Sequence, residues 1–310
     1  MKLKLFLSIV LITSAFVMQA EGASRRATKQ PDLKIAYNVH VGGDDYEIFV
    51  MNLDGTGQKN ITNSKSVDWV YHAYRDKLYF VSDRDSTRRK YFLYEMDADG
   101  GNVRKISQFL AEDSWVSSRK NATEFVVSSA KDGKRHELYI IDRNGKELKR
   151  LTNDDIYDND PAFSPNGKQI VFRSKRTEVD ELWIMDENGG NLRQLTRYPK
   201  DEKEDKNAFH ASAPFWEPNH NVISFASKQK GHYSILTIKP DGSGLKQLTT
   251  GKQDAMWHAW SPDGKWIAYD GTDENGNYDI YLMRSDGAEL KRLTSDKRSE
   301  LAPVFVRAAK

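Results

Sequence analysis

The sequence contains six copies of one repeat unit. The clearest copy runs from Asp180 to Thr196 and reads DELWIMDENGGNLRQLT. The other copies begin at Tyr46, Tyr91, His136, Tyr233 and Tyr278. Their turn glycines are Gly55, Gly100, Gly145, Gly189, Gly242 and Gly287, with spacings of 45, 45, 44, 53 and 45 residues. A fixed period of about 40 to 50 residues indicates a β-propeller or a solenoid.

Each unit predicts four strands. Within the clearest copy, Leu182 and Leu195 belong to two short apolar runs separated by a polar cluster that contains glycine, which is typical of a β-hairpin. Upstream, the Ser-Pro-Asn-Gly turn at 164–167 separates two more apolar runs. Four antiparallel strands, named A to D, make one propeller blade. The sequence therefore predicts an all-β, six-bladed β-propeller.

The first unit lacks its strand A. It begins at Lys34 with the equivalent of strand B, whereas Ala302 to Val306, after the last Leu-Thr, match the pattern of strand A. A strand from the end of the chain would cover the open edge of the first blade with main-chain hydrogen bonds. We predict one propeller over 34–306, closed by a C-terminal strand at 302–306 that completes the first blade, with a tail at 307–310.

The N-terminus has the pattern of a secretory signal. Two lysines in the first four residues precede an apolar run from Leu5 to Met18, and small residues follow at Ala20 and Gly22. That run is shorter than the about 20 residues that a membrane-spanning helix needs. We predict a signal peptide at 1–22, a flexible leader at 23–33, a periplasmic or secreted location and no membrane span. There is no cysteine, and hence no lipid-anchoring cysteine and no disulfide.

The net charge of the chain limits the classes of partner that it can be expected to bind. The 47 basic and 45 acidic residues leave a formal net charge of +2, which does not favour nucleic-acid binding. We expect a monomer. The long fifth period places its extra residues at 198–209, between strand D of one blade and strand A of the next. This insertion is either a solvated charged loop or a lid.

The turns Ser164-Pro165-Asn166-Gly167 and Ser261-Pro262-Asp263-Gly264 are each followed by Lys-x-Ile-x-Phe or Tyr, then by a glycine-containing hairpin and Leu-Thr. This repeat resembles that of the TolB-type β-propeller family, a WD-like repeat, and the resemblance covers 34–306. The same repeat is known from TolB, from the propellers of prolyl-oligopeptidase-type peptidases and from oligogalacturonate lyases. No counterpart of the N-terminal α/β domain of TolB precedes the first strand, so a role in the Tol–Pal system is not implied.

Motifs of common catalytic sites are missing from the sequence. It has no cysteine nucleophile, no Gly-x-Ser-x-Gly elbow and no Walker-type glycine loop. The residues after the propeller, which end at Lys310, are too few for the hydrolase domain that a prolyl-oligopeptidase-type peptidase carries. We therefore do not expect a peptidase of that type.

Candidate ligand-binding residues come from aligning the six A strands on Pro161. One level of the funnel then holds His72, Val116, Pro161, Pro214, His258 and Pro303, and the level before it holds Tyr71, Trp115, Asp160, Ala213, Trp257 and Ala302. A further polar level holds Asp68, Glu112, Tyr157, His210, Asp254 and Arg298. Tryptophan faces stack on sugars or peptide side chains, and acids and histidines orient them. The predicted ligand-binding residues are Tyr71, His72, Trp115, Asp160, His210, Trp257, His258, Asp68 and Asp254.

Two functions remain open, beside a purely structural role for the same residues. The first is a non-catalytic binding module without a cofactor, which engages an envelope protein or a glycan through the funnel face. The second is a carbohydrate-active enzyme similar to oligogalacturonate lyases, with His72, His210 or His258 as base or ligand of a divalent metal, together with Gln253. The lyases hold their metal with histidine and glutamine, but their tight ligand clustering is not reproduced here, and we assign no metal site.

Basic residues recur in the B-to-C loops. They are Arg84, Arg88, Arg89, Lys90, Lys131, Lys134, Arg135, Arg173, Lys175, Arg176, Lys228 and Lys230. Such a rim would steer an anionic partner toward the funnel. Acids such as Asp83 and Asp132 lie in the same loops, so ordinary mixed surface charge is the alternative.

Overall fold

The computed structural model describes residues 33–133, 135–197, 211–229 and 231–309. These residues form 24 strands in six four-stranded antiparallel sheets, which confirms the predicted six-bladed β-propeller. Across these ranges the structure contains no helix of the length and hydropathy that crossing a membrane requires. The predicted signal peptide and the 198–209 insertion lie outside the described residues. Of the predicted leader only Leu33 is described, and it begins the first strand.

Each blade contributes one strand to each of four concentric positions. The innermost A strands are β4 (Asp68–Tyr74), β8 (Ser117–Arg119), β12 (Asp158–Phe163), β16 (Ser212–Trp216), β20 (Ala255–Trp260) and β24 (Glu300–Arg307). The B strands are β1 (Leu33–Gly42), β5 (Lys77–Ser82), β9 (Glu124–Ser129), β13 (Gln169–Ser174), β17 (Ile223–Gln229) and β21 (Trp266–Thr272). The C strands are β2 (Asp45–Asn52), β6 (Phe92–Asp97), β10 (Glu137–Asp142), β14 (Glu181–Asp186), β18 (His232–Ile238) and β22 (Tyr278–Arg284). The outermost D strands are β3 (Lys59–Asn60), β7 (Arg104–Lys105), β11 (Glu147–Arg150), β15 (Arg193–Gln194), β19 (Lys246–Gln247) and β23 (Lys291–Arg292).

The end of the chain closes the ring. Blade 1 has the strand order β24-β1-β2-β3, and Lys34 pairs with Val306 in an antiparallel ladder. The closing strand is longer than the predicted 302–306, since it runs from Glu300 to Arg307. Blade 1 therefore presents a paired A strand like every other blade.

The Leu-Thr ending of four repeats, and its Ile-Thr and Ile-Ser variants in the other two, have a structural reason. Most D strands are only two residues long. Beyond them, the Thr or Ser hydroxyl accepts a hydrogen bond from a backbone amide of strand C, as from Leu138 to Thr152 at 3.0 Å. The same bond occurs in all six blades, at 2.8 to 3.0 Å, with acceptors Thr62, Ser107, Thr152, Thr196, Thr249 and Thr294. The hydroxyl thus extends the C–D pairing where the main-chain ladder stops.

The hairpin glycines also fit one blade against the next. Gly145 has φ +78°, and a Cβ atom there would lie 2.1 Å from the carbonyl oxygen of Ile106 in the preceding blade. Gly100 meets Ile61 of its preceding blade in the same way. Only glycine satisfies both the left-handed backbone and this close approach.

The two ends of the propeller carry different loops. Because neighbouring strands are antiparallel, the A-to-B and C-to-D turns lie at one end, called here the A–B face. The D-to-A and B-to-C loops lie at the opposite end, called the D–A face. Polar side chains join blades near the axis, as where the backbone amide of Val70 in blade 2 donates to Asn38 Oδ1 of blade 1 at 2.7 Å.

Candidate ligand-binding channel

Aromatic side chains fill the propeller axis. A register shift interrupts strand A in five of the six blades, and such bulges re-aim the side chains beside them. Trp115 lies at the centre, with its ring centroid 4.5 Å from Tyr71, 6.2 Å from Phe215 and 5.3 Å from Trp257. The set named here the aromatic plug comprises Tyr46, Trp69, Tyr71, Trp115, Phe215 and Trp257. The plug blocks passage along the axis.

Blade 2 differs by one residue from the alignment that the sequence suggests. His72 pairs with Tyr79 in the position where Ala162 pairs with Val171 in blade 4, so Tyr71, and not His72, corresponds to Pro161. The A-to-B turn of blade 2 is shorter than the Ser-Pro-Asn-Gly turn, and counting back from the turn therefore misplaces the level. His72 and His258 do not lie at the same level of the funnel.

A cavity of about 1560 Å³ lies between the aromatic plug and the A–B face. Tyr71 and Trp115 line its inner end, His72 and Pro214 belong to its wall, and the A-to-B turns surround its mouth. We call it the axial channel. The basic B-to-C loops predicted an approach to the funnel from the D–A face, whereas this channel opens at the opposite face.

Basic side chains surround the mouth of the axial channel. Arg75, Lys120, Lys168 and Arg307 line it and are exposed, and the half-buried Arg119 lines it as well. Arg119 and Lys120 both bond to Glu124, at 2.8 and 2.6 Å. The lining contains two acids, Asp76 and Glu187, and Glu187 is already paired with Arg119. This basic mouth was not predicted from the sequence. The basic residues in the A-to-B turns were the pattern that could have indicated it.

Aromatic side chains supply the apolar part of the wall. Phe163, Trp216 and Trp260 line the axial channel between the plug and the mouth. The side chain of Trp216 is fixed by a hydrogen bond of 3.1 Å from its Nε1 to the carbonyl of Ala162. These side chains, too, were absent from the predicted site.

The two described candidate histidines have different environments. His72 lines the axial channel and its Nε2 bonds to Ser118 Oγ at 2.8 Å. His258 is 1% exposed and uses both ring nitrogens, Nδ1 as donor to the carbonyl of Met256 at 3.1 Å and Nε2 as acceptor from Ser224 Oγ at 2.7 Å. Burial lowers the pKa of each histidine to about 4, so both are neutral at pH 7. Of the two, only His72 faces a ligand space.

The predicted acids take part in structural contacts. Asp160 is 2% exposed, accepts a hydrogen bond from the Trp115 amide of the neighbouring blade at 3.3 Å, and pairs with Arg173 at 2.6 Å. Asp68 is fully buried and receives Arg84 at 3.1 and 3.2 Å. These carboxylates have partners within the protein and do not line the axial channel.

The remaining predicted residues are Asp254, Trp257 and His210, and none of them lines the axial channel among the described residues. Asp254 precedes strand β20 and accepts a hydrogen bond from the amide of Tyr233 at 2.7 Å. Trp257 is a member of the plug. His210 lies outside the described residues. Tyr71, His72 and Trp115 are thus the predicted residues that the structure brings together around one cavity.

The basic B-to-C loops are largely neutralised by acids. Arg176 donates to Asp158 at 2.9 Å and to Asp154 at 2.5 Å. Arg88 pairs with Asp45 across the blade 1–blade 2 junction. The predicted outer rim is therefore a set of ion pairs at these positions, which matches the mixed-charge alternative.

Carboxylates, and not histidines, form the densest group of metal-type ligands. Over the described ranges, one group of three such residues, Glu137, Asp154 and Asp158, has ligand atoms within 4.8 Å of one another. The guanidinium of Arg176 already binds two of the three. Around His72 the described residues offer no comparable set.

No protein-family model matches the chain. Residues over 42% of the chain are 28% identical across 132 positions to a protein TolB homolog of Chlorobium chlorochromatii (strain CaD3). The match spans 29% of that relative, well under half of its length. Among solved structures, TolB from Acinetobacter baumannii superimposes with a TM-score of 0.72 at 20% identity, over 88% of this chain and 66% of that chain.

The chain has the TolB-type β-propeller fold. The TolB-type fold also relates it to an oligogalacturonate lyase in complex with manganese, with a TM-score of 0.55 at 16% identity, over 84% of this chain and 73% of that chain. At these identities the structural likeness establishes the shared architecture alone. A function for this TolB-type propeller therefore has to be inferred from the residues that line its axial channel.

Proposed function

We propose that this propeller is an exported, non-catalytic binding module that takes an extended, acidic segment of an envelope protein into the axial channel. The observation that carries the proposal is a cavity of about 1560 Å³ that is closed at its inner end by the aromatic plug and bordered by basic side chains. This volume exceeds the roughly 300 to 1000 Å³ of ordinary small-molecule sites.

The channel chemistry suits a polypeptide segment. A closed inner end admits a chain terminus or a projecting loop rather than a polymer that threads through. Arg75, Lys168 and Arg307 at the mouth attract carboxylates, while Trp216 and Trp260 offer apolar faces to side chains. Solvent screens the exposed charges, so they contribute mainly to association rate and partner choice.

The proposed location follows from the sequence. The pattern of residues 1–22 is that of a secretory signal, and the TolB homologues supply the precedent of the fold. Determining the N-terminal residue of the protein recovered from the periplasm of an expressing Gram-negative host tests it. A mature chain that begins close to Ala23 supports export, and an uncleaved Met1 in the cytoplasm contradicts it.

A charge-reversal experiment tests the channel. Immobilised wild-type protein is exposed to an envelope extract, beside an Arg75→Glu, Lys168→Glu variant and a matched Lys59→Glu, Lys246→Glu control on the outer D strands. We expect the wild type and the control to retain the same partner protein and the channel variant to lose it. Equal retention by all three proteins would exclude the channel as the binding site, and release of the partner by glycosidase treatment would indicate a glycan.

An enzyme similar to oligogalacturonate lyases is the second candidate. One observation favours it: the neutral imidazole of His72 lies in the wall of the channel, where a base or metal ligand would be needed. Incubation of the protein with polygalacturonate and Mn²⁺, followed by absorbance of unsaturated uronide, tests it. Activity that disappears in His72→Ala would replace the binding proposal.

A further inference from the structure

Two exposed arginines at the mouth of the axial channel lie next to each other. The backbone amide of Arg307, at the end of β24, donates to the carbonyl of Arg75 in the A-to-B turn of blade 2 at 2.8 Å. Both side chains line the channel. In the described part of the chain neither guanidinium group takes part in an ion pair. Two like charges therefore start from neighbouring main-chain positions without an acid to offset them.

The other basic side chains of the mouth differ from this pair. Arg119 and Lys120 share Glu124, and Arg119 also pairs with Glu187. Lys168 is exposed but belongs to blade 4, away from the junction of blades 1 and 2. The place where the channel offers two guanidinium groups to one anion is therefore the pair of Arg75 and Arg307.

The side chain of Arg75 is held in position by its neighbours. Its guanidinium carbon lies 5.2 Å from the ring centroid of Tyr74. The hydroxyl of Tyr74 in turn donates to Asn121 Oδ1 of blade 3 at 2.7 Å. Because the planar guanidinium group is already positioned by this contact, less conformational freedom is lost when it binds a carboxylate.

An indole ring lies on the other side of Arg307. Trp260 ends β20 in blade 6, the neighbour of blade 1 in the ring, and lines the channel. Its Nε1 donates to Ser224 Oγ at 2.7 Å, and its side chain is half-buried. Phe163 is covered by Arg119, whose guanidinium carbon lies 4.7 Å from the ring centroid, and Trp216 is only 8% exposed. Of these three aromatic side chains, Trp260 therefore leaves the most surface for a ligand.

The strand register places Trp260 deeper in the channel than Arg307. Trp260 pairs with Ile267 of strand B in blade 6, and Phe305 pairs with Ile35, the equivalent residue of blade 1. Arg307 lies two residues beyond Phe305, toward the A–B face. A ligand that enters from this face meets the arginines first and the indole ring further in.

We propose that Arg75, Arg307 and Trp260 form the part of the axial channel that selects its occupant. This inference rests on the binding function proposed above and makes it more specific. The bound segment presents an aromatic side chain to Trp260 and, nearer the mouth, an Asp or Glu carboxylate that the two guanidinium groups share. Arginine donates to a carboxylate through parallel N–H groups, and aromatic rings pack favourably against an indole.

A phage library of random decapeptides, selected on the immobilised full chain, supplies the probes. We expect the selected peptides to carry an acidic and an aromatic residue at a fixed spacing. The Kd of one synthetic selected peptide is then measured by fluorescence anisotropy. An Arg75→Gln, Arg307→Gln variant should bind it at least about tenfold more weakly than the wild type. A matched Arg135→Gln, Arg143→Gln control, at exposed arginines that do not line the channel, should bind like the wild type.

Changing the peptide together with the protein separates a direct contact from an effect on folding. Replacing the acidic residue of the peptide with its amide should weaken binding to the wild type by a similar factor and leave binding to the double arginine variant unchanged. Likewise, replacing the aromatic residue of the peptide with alanine should weaken binding to the wild type but not to Trp260→Ala. Thermal unfolding shows whether each variant is folded, and Trp260→Leu replaces Trp260→Ala if the latter is not.

The inference is overturned if no peptide is selected, or if the selected peptides lack the acidic or the aromatic residue. It is also overturned if the amide peptide loses the same affinity for the wild type and the double arginine variant. In either case the binding function still stands if the Arg75→Glu, Lys168→Glu variant loses the envelope partner that the wild type retains. Retention of that partner by the variant contradicts the binding function itself.

Discussion

The indole ring of Trp115 packs against that of Trp257 with 5.3 Å between the ring centroids. These residues belong to blades 3 and 6, which stand opposite each other, so the aromatic plug joins blades that share no sheet edge. Trp115 also touches Tyr71 and Phe215, in blades 2 and 5. Four blades thus meet at one side chain.

Replacing Trp115 with alanine should therefore destabilise the whole ring. We expect a loss of about 3–5 kcal/mol in the free energy of unfolding, because a large buried side chain is removed from a well-packed centre. Urea denaturation followed by circular dichroism measures it. Trp266→Ala, at a partly buried tryptophan away from the axis, is the control, and an equal loss in both variants would contradict a central role for Trp115.

Gly145→Ala should cost more than an ordinary loss of a turn glycine. The left-handed backbone alone costs an L residue about 1–2 kcal/mol, and the clash with the Ile106 carbonyl adds about 1–3 kcal/mol. Gly276 has φ +81°, and no atom lies within 4 Å of the place that an added Cβ would take, so Gly276→Ala reports the backbone cost alone. Thermal unfolding of the two variants gives the difference; no difference would mean that the blade contact relaxes freely.

His258→Ala should destabilise the fold by about 2–4 kcal/mol, since it leaves a cavity and removes the bonds to Ser224 and Met256. His72→Ala should cost less, because the half-buried imidazole makes one hydrogen bond at the wall of a cavity. Denaturant titrations at pH 7, where both histidines are neutral, compare them. A larger loss for His72 would show that the channel wall, and not the blade junction, depends more on its histidine.

Asp270 should make the protein less stable as pH rises. This fully buried carboxyl accepts bonds from the Ala302 amide at 2.7 Å and the Trp257 amide at 3.1 Å, yet desolvation raises its pKa from 3.8 to about 8. The folded state therefore holds the proton more tightly than the unfolded state. Its stabilising contribution is complete below about pH 3.8 and declines as pH rises to about 8, with a slope of at most about 1.4 kcal/mol per pH unit.

The free energy of unfolding of wild type and Asp270→Asn, measured from pH 6.5 to 8.5, tests this dependence. The variant loses one acceptor and is expected to be weaker at every pH, but its profile should be flatter than that of the wild type. Because Glu300 and Asp279 titrate in both proteins, the difference between the two profiles isolates Asp270. Parallel profiles would show that Asp270 is ionised throughout the range.

The fold could be predicted from the sequence because short sequence patterns indicate how neighbouring strands are connected. Gly145 and its equivalents specify the C–D hairpin, Ser164-Pro165-Asn166-Gly167 specifies an A–B turn, and the C-terminal pattern at 302–306 specifies the closure. These signals act over a few residues, and the hairpin glycine recurs six times, so an error in one copy of the hairpin is corrected by the others. The six blades and the shared strand were accordingly predicted.

The candidate site was harder to predict from the sequence than the fold, because it depends on contacts between blades. The alignment placed His72 one residue too early, since the shorter turn of blade 2 has no signature of its own. His258 and Asp160 were predicted as ligand-binding residues because they lie at or beside the level of Pro161 in the repeat. In the structure Ser224 of the preceding blade bonds to His258, and the Trp115 amide of the preceding blade bonds to Asp160, which also pairs with Arg173 of its own blade. Nor does the repeat pattern reveal which end of the axis an aromatic plug leaves open.

The shared first blade has a consequence for how the chain reaches this structure. The side chain of Asn38 donates to the carbonyl of Leu301, a residue 263 positions along the chain. Until the last strand has been synthesised, β1 is an uncovered edge with unsatisfied amides, which can pair with another copy of the chain. Such distant pairing also slows folding. Ring closure is thus the step at which productive folding competes with aggregation, and conditions that stabilise the junction of blades 6 and 1 should increase the yield of folded protein.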